Sequence, residues 1–263
     1  MRLAFSTLGV PGLPVEQVVG LAREHGFHGV ELRADRDEEP VHAGLDGDAR
    51  ARVREVFGAA GVEILCVAAY TRVAAPGADD PVVEDLRRQV GLAGDLGAPF
   101  VRVFPGGSGP QDDAVAARRL AAAAPYAAER GVRVLVETHD SHRTAADLAR
   151  VLGPVGHRAV GALWDVLHTW RGGEEPAASY PALAPYLGYV QVKDVASAEE
   201  LTPLPLGRGV VPLDGCVEVL SREGWDGWLC WEYEKRWYPQ AAGLPGLLDA
   251  GREHLMRLLG EFA

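Results

Sequence analysis

Lysine is nearly missing from this chain: Lys193 and Lys235 are the two among 26 basic residues. Arginine carries the other positive charges, so a compact ammonium retained at Lys193, inside an apolar segment, marks a position where a guanidinium does not substitute. Cysteine is scarce as well. Cys66, Cys216 and Cys230 have no metal-type spacing, which argues against a thiolate metal cluster and predicts reduced, structural thiols in a reducing compartment. No apolar run approaches the roughly 18 residues of a membrane span, and Met1 leads directly into RLAFST without a charged leader and apolar stretch. The expected location is cytoplasmic, with no membrane partner. Positive charge is in deficit overall, with a formal net charge of −11 spread along the chain, so nucleic acid is not an expected partner. The first turn also lacks GxGxxG, which weighs against a doubly wound dinucleotide-binding sheet.

The chain has 263 residues, 48% hydrophobic and 24% charged. That suits one large core, and a barrel of roughly 250 residues fits without a second domain, so residues 1–263 are read as a single domain. Apolar strand-like segments alternate with helical ones throughout. RLAFST precedes a helix over residues 14–25 closed by Gly26, and GVELR precedes one over 46–60 closed by Gly61. VEILCVAAYT, FVRVF, RVLVETHD and VGALWDV follow, with helices predicted over 82–96, 112–130 and 144–152. Residues 174–187 support only a short or irregular helix. YVQVKD, a helix over 212–223, WLCWEYE and a helix over 245–259 complete the pattern. Eight such alternations predict a (β/α)8 TIM barrel with its active site at the C-terminal mouth of the strands.

RVLVETHD organises this reading. Four apolar residues run up to Glu137 and His139, which the two-residue period of a strand puts on one face. Later segments repeat the design with Asp165 and His168, Gln191 and Lys193, Glu232 and Glu234. From Glu137 it is 28 residues to Asp165, then 26 to Gln191 and 41 to Glu232, close to the length of successive βα units. A closed barrel brings such strand ends around one mouth. Three carboxylates and an amide oxygen there, Glu137, Asp165, Gln191 and Glu232, would repel one another without a cation; hard oxygen donors suit Mg²⁺ or Mn²⁺ better than Zn²⁺.

Other groups join them. His139 and His168 are placed either to move a proton or to orient a ligand. Lys193 and Arg208 are candidates to hold an anionic substrate oxygen, and Glu31 a further substrate contact. Trp170, Trp237 and Tyr238 either wall a pocket or pack ordinarily. PGGSGP, from Pro105, either turns backbone amides toward a phosphate or is a simple flexible turn. Glu234 supports a ligand or pairs with Lys235 or Arg236 at the surface.

GF-x-GVEL, VLVETH, LWDVLH, YVQVKD and the segment PLGRGVVPLDGCVEVLSREGWDGWLCWEYE together resemble the xylose isomerase-like TIM barrel family of sugar phosphate isomerases and epimerases. The resemblance covers nearly the whole chain. It implies one divalent cation, Mn²⁺ or Mg²⁺ first and Co²⁺ or Zn²⁺ second, held by Glu137, Asp165, Gln191 and Glu232. It also implies a homodimer or homotetramer and a small polyhydroxylated substrate. One departure stands out: the family usually has histidine where this chain has Gln191, although members resembling dehydroshikimate dehydratases have glutamine.

The expected activity is that of an isomerase or epimerase acting next to a carbonyl on a sugar, keto sugar or sugar phosphate, with Glu137 and Glu232 exchanging the proton. The alternative enzyme is a lyase that dehydrates a cyclic keto acid or keto-inositol, with a base near His139. Two further readings are an abasic-site endonuclease, disfavoured by the acidic charge, and a barrel without catalysis that binds a ligand or partner.

Overall fold

Strand parity decides how this molecule is built. The computed structural model describes residues 1–34 and 39–262. Eight parallel strands, β1 (Arg2–Ser6), β2 (Gly29–Arg33), β3 (Glu63–Arg72), β4 (Phe100–Phe104), β5 (Arg133–Glu137), β6 (Val160–Asp165), β7 (Leu187–Val192) and β8 (Trp228–Trp231), pair in sequence order and close β8 onto β1. One parity of each strand points outward. Val134, Val136, Trp164, Val190, Val192, Leu229 and Trp231 pack in the large cluster between barrel and helices. The other parity points inward, and there the lower layer is an apolar plug of Ala4, Cys66, Leu135, Leu163, Tyr189 and Cys230.

Two residues further along, the inward positions turn polar. Leu135 is followed by Glu137, Leu163 by Asp165, Tyr189 by Gln191 and Cys230 by Glu232. The sequence of each strand therefore codes for a sealed floor below and a charged layer above it. Asp165 pairs directly with Gln191, and Val192 pairs with Trp231, the residue before Glu232.

Helices α1 (Val15–Glu24), α2 (Gly47–Ala60), α3 (Asp79–Leu96), α4 (Asp113–Glu129), α5 (Ala145–Leu152), α6 (Val166–Arg171), α7 (Pro176–Leu183), α8 (Leu213–Arg222) and α9 (Leu248–Glu261) surround the barrel. The predicted (β/α)8 architecture is the observed one. Several boundaries differ from expectation, and one helix is added. The α3 helix begins at Asp79 because Asp79 and Asp80 suit a first turn. The α6 helix, not expected from sequence, follows β6 directly because the Asp165 carboxylate accepts the Leu167 amide at 2.9 Å and caps it. The β8 strand ends at Trp231, so Glu232 and Glu234 lie past it. All three cysteines are buried and unpaired with one another. Among the described residues no helix is long and apolar enough to cross a membrane.

Candidate active site at the barrel mouth

The last residue of β5, the last of β6 and the first after β8 converge. Carboxylate oxygens of Glu137, Asp165 and Glu232, all buried, lie within 4.8 Å of one another. Gln191 joins them from β7, its Nε2 donating to Glu31 Oε2 at 2.9 Å and to Glu232 Oε1 at 3.1 Å. Below, the Tyr189 hydroxyl donates to the same Glu31 oxygen. Lys193 inserts its ammonium among the acids, 2.8 Å from Asp165 Oδ2 and from Glu234 Oε1, and paired with Glu232 Oε2. From β4, Arg102 places Nε 3.3 Å from Glu137 Oε2 and stacks its guanidinium 4.0 Å over the Phe104 ring.

Burial pushes the Glu31 and Glu137 carboxyls up, and Asp165 to about 6, each partly opposed by Arg102 or Lys193. Glu232 goes the other way: although burial raises it, Lys193 and Arg102 hold it below the usual range. Two buried cations, Arg102 and Lys193, thus face four buried carboxylates, Glu31, Glu137, Asp165 and Glu232. Gln191 Oε1 is buried without a hydrogen bond, a costly state unless a cation satisfies it, while Asp165 Oδ2 and Glu137 Oε2 face the charges of Lys193 and Arg102. The charge excess and the all-oxygen donor set both fit one divalent ion.

Above the carboxylates lie two imidazoles. His139 and His168 meet edge to face with centroids 4.3 Å apart, and Phe104 backs His139 at 4.6 Å. His168 Nε2 is 3.6 Å from Asp165 Oδ2 and 4.0 Å from Glu137 Oε1; burial, then the nearby His139 and Lys193, push its pKa well down, so the ring is neutral. Glu137, His139 and His168 form a second group whose ligand atoms lie within 4.8 Å. His139 opens on a cavity of about 260 Å³ that Tyr70, Arg72, Arg102, Glu137, Glu232 and Trp237 also line. A small molecule entering it meets carboxylates on the floor, imidazole on one wall and arginine at the rim.

A model of the xylose isomerase-like TIM barrel matches residues 19–258. The chain belongs to this family. Among curated proteins, it is 24% identical over 191 residues to a 3-dehydroshikimate dehydratase of Bacillus anthracis, covering 70% of this chain and 68% of that one. Among solved structures of similar fold is the probable 3-DHS dehydratase AsbF of Bacillus anthracis, with TM-score 0.81 and 21% identity over 97% of this chain and 99% of that one. The zinc-bound IOLI protein (TM-score 0.82, 15% identity, 100% and 99% covered) and L-ribulose 3-epimerase (0.79, 17%, 99% and 95%) share the fold as well.

Within this family frame, the residues singled out from sequence separate into two groups. Glu137, Asp165, Gln191, Glu232, His139, His168 and Lys193 come together at the mouth. Arg208 does not: it is exposed in the loop before α8 and does not line the cavity. Trp170 packs against the core from α6 instead of walling the cavity. Glu31 is fully buried beneath Gln191, a support and not a surface that substrate touches. Three amides of PGGSGP are already occupied: Gly106 N donates to Asp140 Oδ1 at 3.0 Å, Gly107 N to Ser141 Oγ at 3.0 Å, and Ser108 N to Asp112 Oδ2 at 2.7 Å. Sequence reasoning missed Arg102, Tyr70 and Arg72. The signal for Arg102 was present, since a charge in the middle of FVRVF must face either the barrel interior or the helices.

Proposed function

We propose that this chain is a divalent-metal-dependent lyase that removes the proton next to a carbonyl of a small polyhydroxylated keto acid and then expels a β-hydroxyl as water. Glu137, Asp165, Glu232 and the amide oxygen of Gln191 would hold the ion, which when bound supplies Lewis-acid polarisation of the carbonyl oxygen. The observation that carries the choice is the condition of Glu232. Gln191 engages one of its oxygens and Lys193 the other, so it is a poor partner for Glu137 in a two-carboxylate proton exchange. One-base chemistry remains, and His139, on the cavity wall, is its base.

The other residues divide the remaining work. Burial and the adjoining Lys193 keep His168 neutral, placing a second imidazole near the departing hydroxyl. Arg72 is exposed at the cavity rim, where its guanidinium suits a substrate carboxylate. With the Gly106, Gly107 and Ser108 amides bound to side chains, PGGSGP has no run of free amides to cradle a phosphate, which favours a carboxylate over a phosphate. The name of the curated relative agrees with a keto acid.

A second reading is a ketose epimerase, favoured by the proximity of Glu137 and Glu232 and by the epimerase of similar fold. Incubation with Mn²⁺ and 3-dehydroshikimate, beside L-ribulose and D-allulose, tests both. Loss of water with a new absorbing conjugated product supports the lyase. Turnover of a ketose without change in mass supports the epimerase. Full activity in a Glu137→Gln, Glu232→Gln double variant sinks both.

A further inference from the structure

The turn that carries His139 is built in an unusual way. His139 and His142 pair through reciprocal backbone bonds, His139 N to His142 O at 3.2 Å and His142 N to His139 O at 2.8 Å. Asp140 at its tip has φ +32°, the one positive value outside glycine among the described residues, a conformation that costs energy unless the surroundings enforce it. The surroundings do so. Asp140 Oδ1 accepts the amides of Gly106 at 3.0 Å and Ser141 at 2.5 Å. Ser141 Oγ accepts Gly107 N and lies 2.9 Å from His142 Nδ1, while His142 Nε2 lies 2.7 Å from Asp113 Oδ1 at the start of α4. The Ser141, His142 and Asp113 sequence has the composition of a nucleophile relay. The adjacent amides of Gly106, Gly107, Ser108 and Ser141 are bound to side chains and so are not free to receive an oxyanion.

The effect of this latch is to point the remaining Asp140 oxygen at the base. Oδ2 lies 3.3 Å from His139 Nδ1, and that buried nitrogen makes no hydrogen bond in this geometry, so Asp140 is the acceptor set nearest to it. With Nδ1 buried, the exposed third of the His139 side chain lies elsewhere on the ring, and Nε2 is the nitrogen left to meet the cavity. A proton on Nδ1 would face Asp140 and leave the Nε2 lone pair to the cavity; a proton on Nε2 would leave Nδ1 facing a carboxylate with no hydrogen between them. The other charged or titratable neighbours of His139 are His168, against its ring, Glu137 in the same group of donors, and Glu232 across the floor.

We propose that Asp140 is a positioning residue for His139, holding its proton on Nδ1 so that Nε2 faces substrate as the acceptor, and that the Gly106, Ser141, His142 and Asp113 latch fixes Asp140 for that task. This rests on His139 being the base in the function proposed above. Asp140 lines the cavity but is not one of the grouped carboxylate donors.

Long-range ¹H–¹⁵N spectra of protein labelled in histidine nitrogen report the tautomer without any substrate. In the wild-type protein His139 is expected to carry its proton on Nδ1. Asp140→Gly, which accepts the positive φ, moves it to Nε2, and Asp140→Asn, which keeps an acceptor oxygen, retains Nδ1–H. With 3-dehydroshikimate as probe, Asp140→Gly lowers kcat about a hundredfold with KM changed by less than about twofold, and Asp140→Asn recovers part of the loss. A wild-type proton on Nε2, or Asp140→Gly leaving the tautomer unchanged, overturns the proposal. Failure of the wild-type protein to turn over the probe counts against the substrate reading, and the tautomer then decides the role of Asp140 by itself.

Discussion

Lys193 Nζ sits 2.8 Å from Asp165 Oδ2 while contacting Glu232 and Glu234 from the same position. One ammonium, 3% exposed, thus links strand ends β6 and β8 from its place just past β7. Removing it leaves buried carboxylates without their counter-charge, which costs more than the pair itself contributes. Lys193→Met is expected to lose about 3–5 kcal/mol of stability, read as a lower urea midpoint at unchanged m-value. Lys193→Arg does not rescue it, because a planar fork does not fill a compact three-acid pocket. A midpoint equal to wild type would mean that the carboxylates tolerate each other without the lysine.

The oxygen donors predict how the protein responds to metal. Calorimetric titration with Mn²⁺ is expected to give about one ion per chain, and Glu137→Gln or Asp165→Asn each to weaken it by more than the 10–100-fold typical of groups behind the ligands. Ion at about 100 times its Kd raises stability by about 2.7 kcal/mol, so chelator lowers the thermal midpoint of the wild-type protein and leaves that of the variants unmoved. Affinity lost in Glu137→Gln but undiminished in Asp165→Asn would shift the site to the Glu137, His139 and His168 group, where Asp165 has no part.

Much of this was legible in the chain because strand parity is a local code. Leu135 then Glu137, or Tyr189 then Gln191, states both the sealed floor and the polar layer, and the spacing between units delivers those ends to one mouth. Loop residues obey no such code. Arg208 and Trp170 follow the right strands, yet their side chains leave the cavity because loop and helix geometry, not period, aims them. Arg102 was hidden for another reason: a charge between Val101 and Val103 looks anomalous in an apolar strand until the inward parity is known to be polar at that height. The amides of Gly106 and Gly107 look open in the sequence because their partners, Asp140 and Ser141, come from the next βα loop.

Arg119 shows the same logic away from the site. Fully buried, it donates to the carbonyls of Val73, Ala75 and Gly77 at 3.0, 2.7 and 2.7 Å, and its Nε to Asp79 Oδ1 at 2.9 Å. Hydrogen bonds from Arg118 and Arg119 hold Asp79 down to about 2, from an ordinary 3.8. A depressed carboxyl contributes stability that is fully present above its unfolded pKa and is lost as pH falls through the folded value. The stability difference between wild type and Asp79→Asn is therefore expected to be constant above about pH 5 and to shrink as pH drops from about 4 toward 2. Urea midpoints of both proteins at pH 6, 4 and 3 check it, and a difference that grows with acid would assign Asp79 the wrong sign.

The closing helix offers a packing test independent of charge. Gly251 of α9 lies over the outward-facing Trp231 of β8, and a Cβ built there would fall 2.1 Å from Trp231 Cζ3. Trp231 is itself fully buried between β8 and the helices, so its ring has no free direction in which to move. Gly251→Ala gains helix propensity of about 1 kcal/mol, but overpacking a well-filled core costs about 1–3 kcal/mol, and the steric cost wins where the ring cannot shift. The expected result is a lower midpoint by thermal unfolding. The contrast is Gly260 in the same helix, where a Cβ meets nothing within 4 Å and Gly260→Ala is expected to raise stability by a few tenths of a kcal/mol or more. Because Glu232 directly follows Trp231, Gly251→Ala also displaces one wall of the carboxylate cluster, so its Mn²⁺ affinity falls while that of Gly260→Ala stays at the wild-type value.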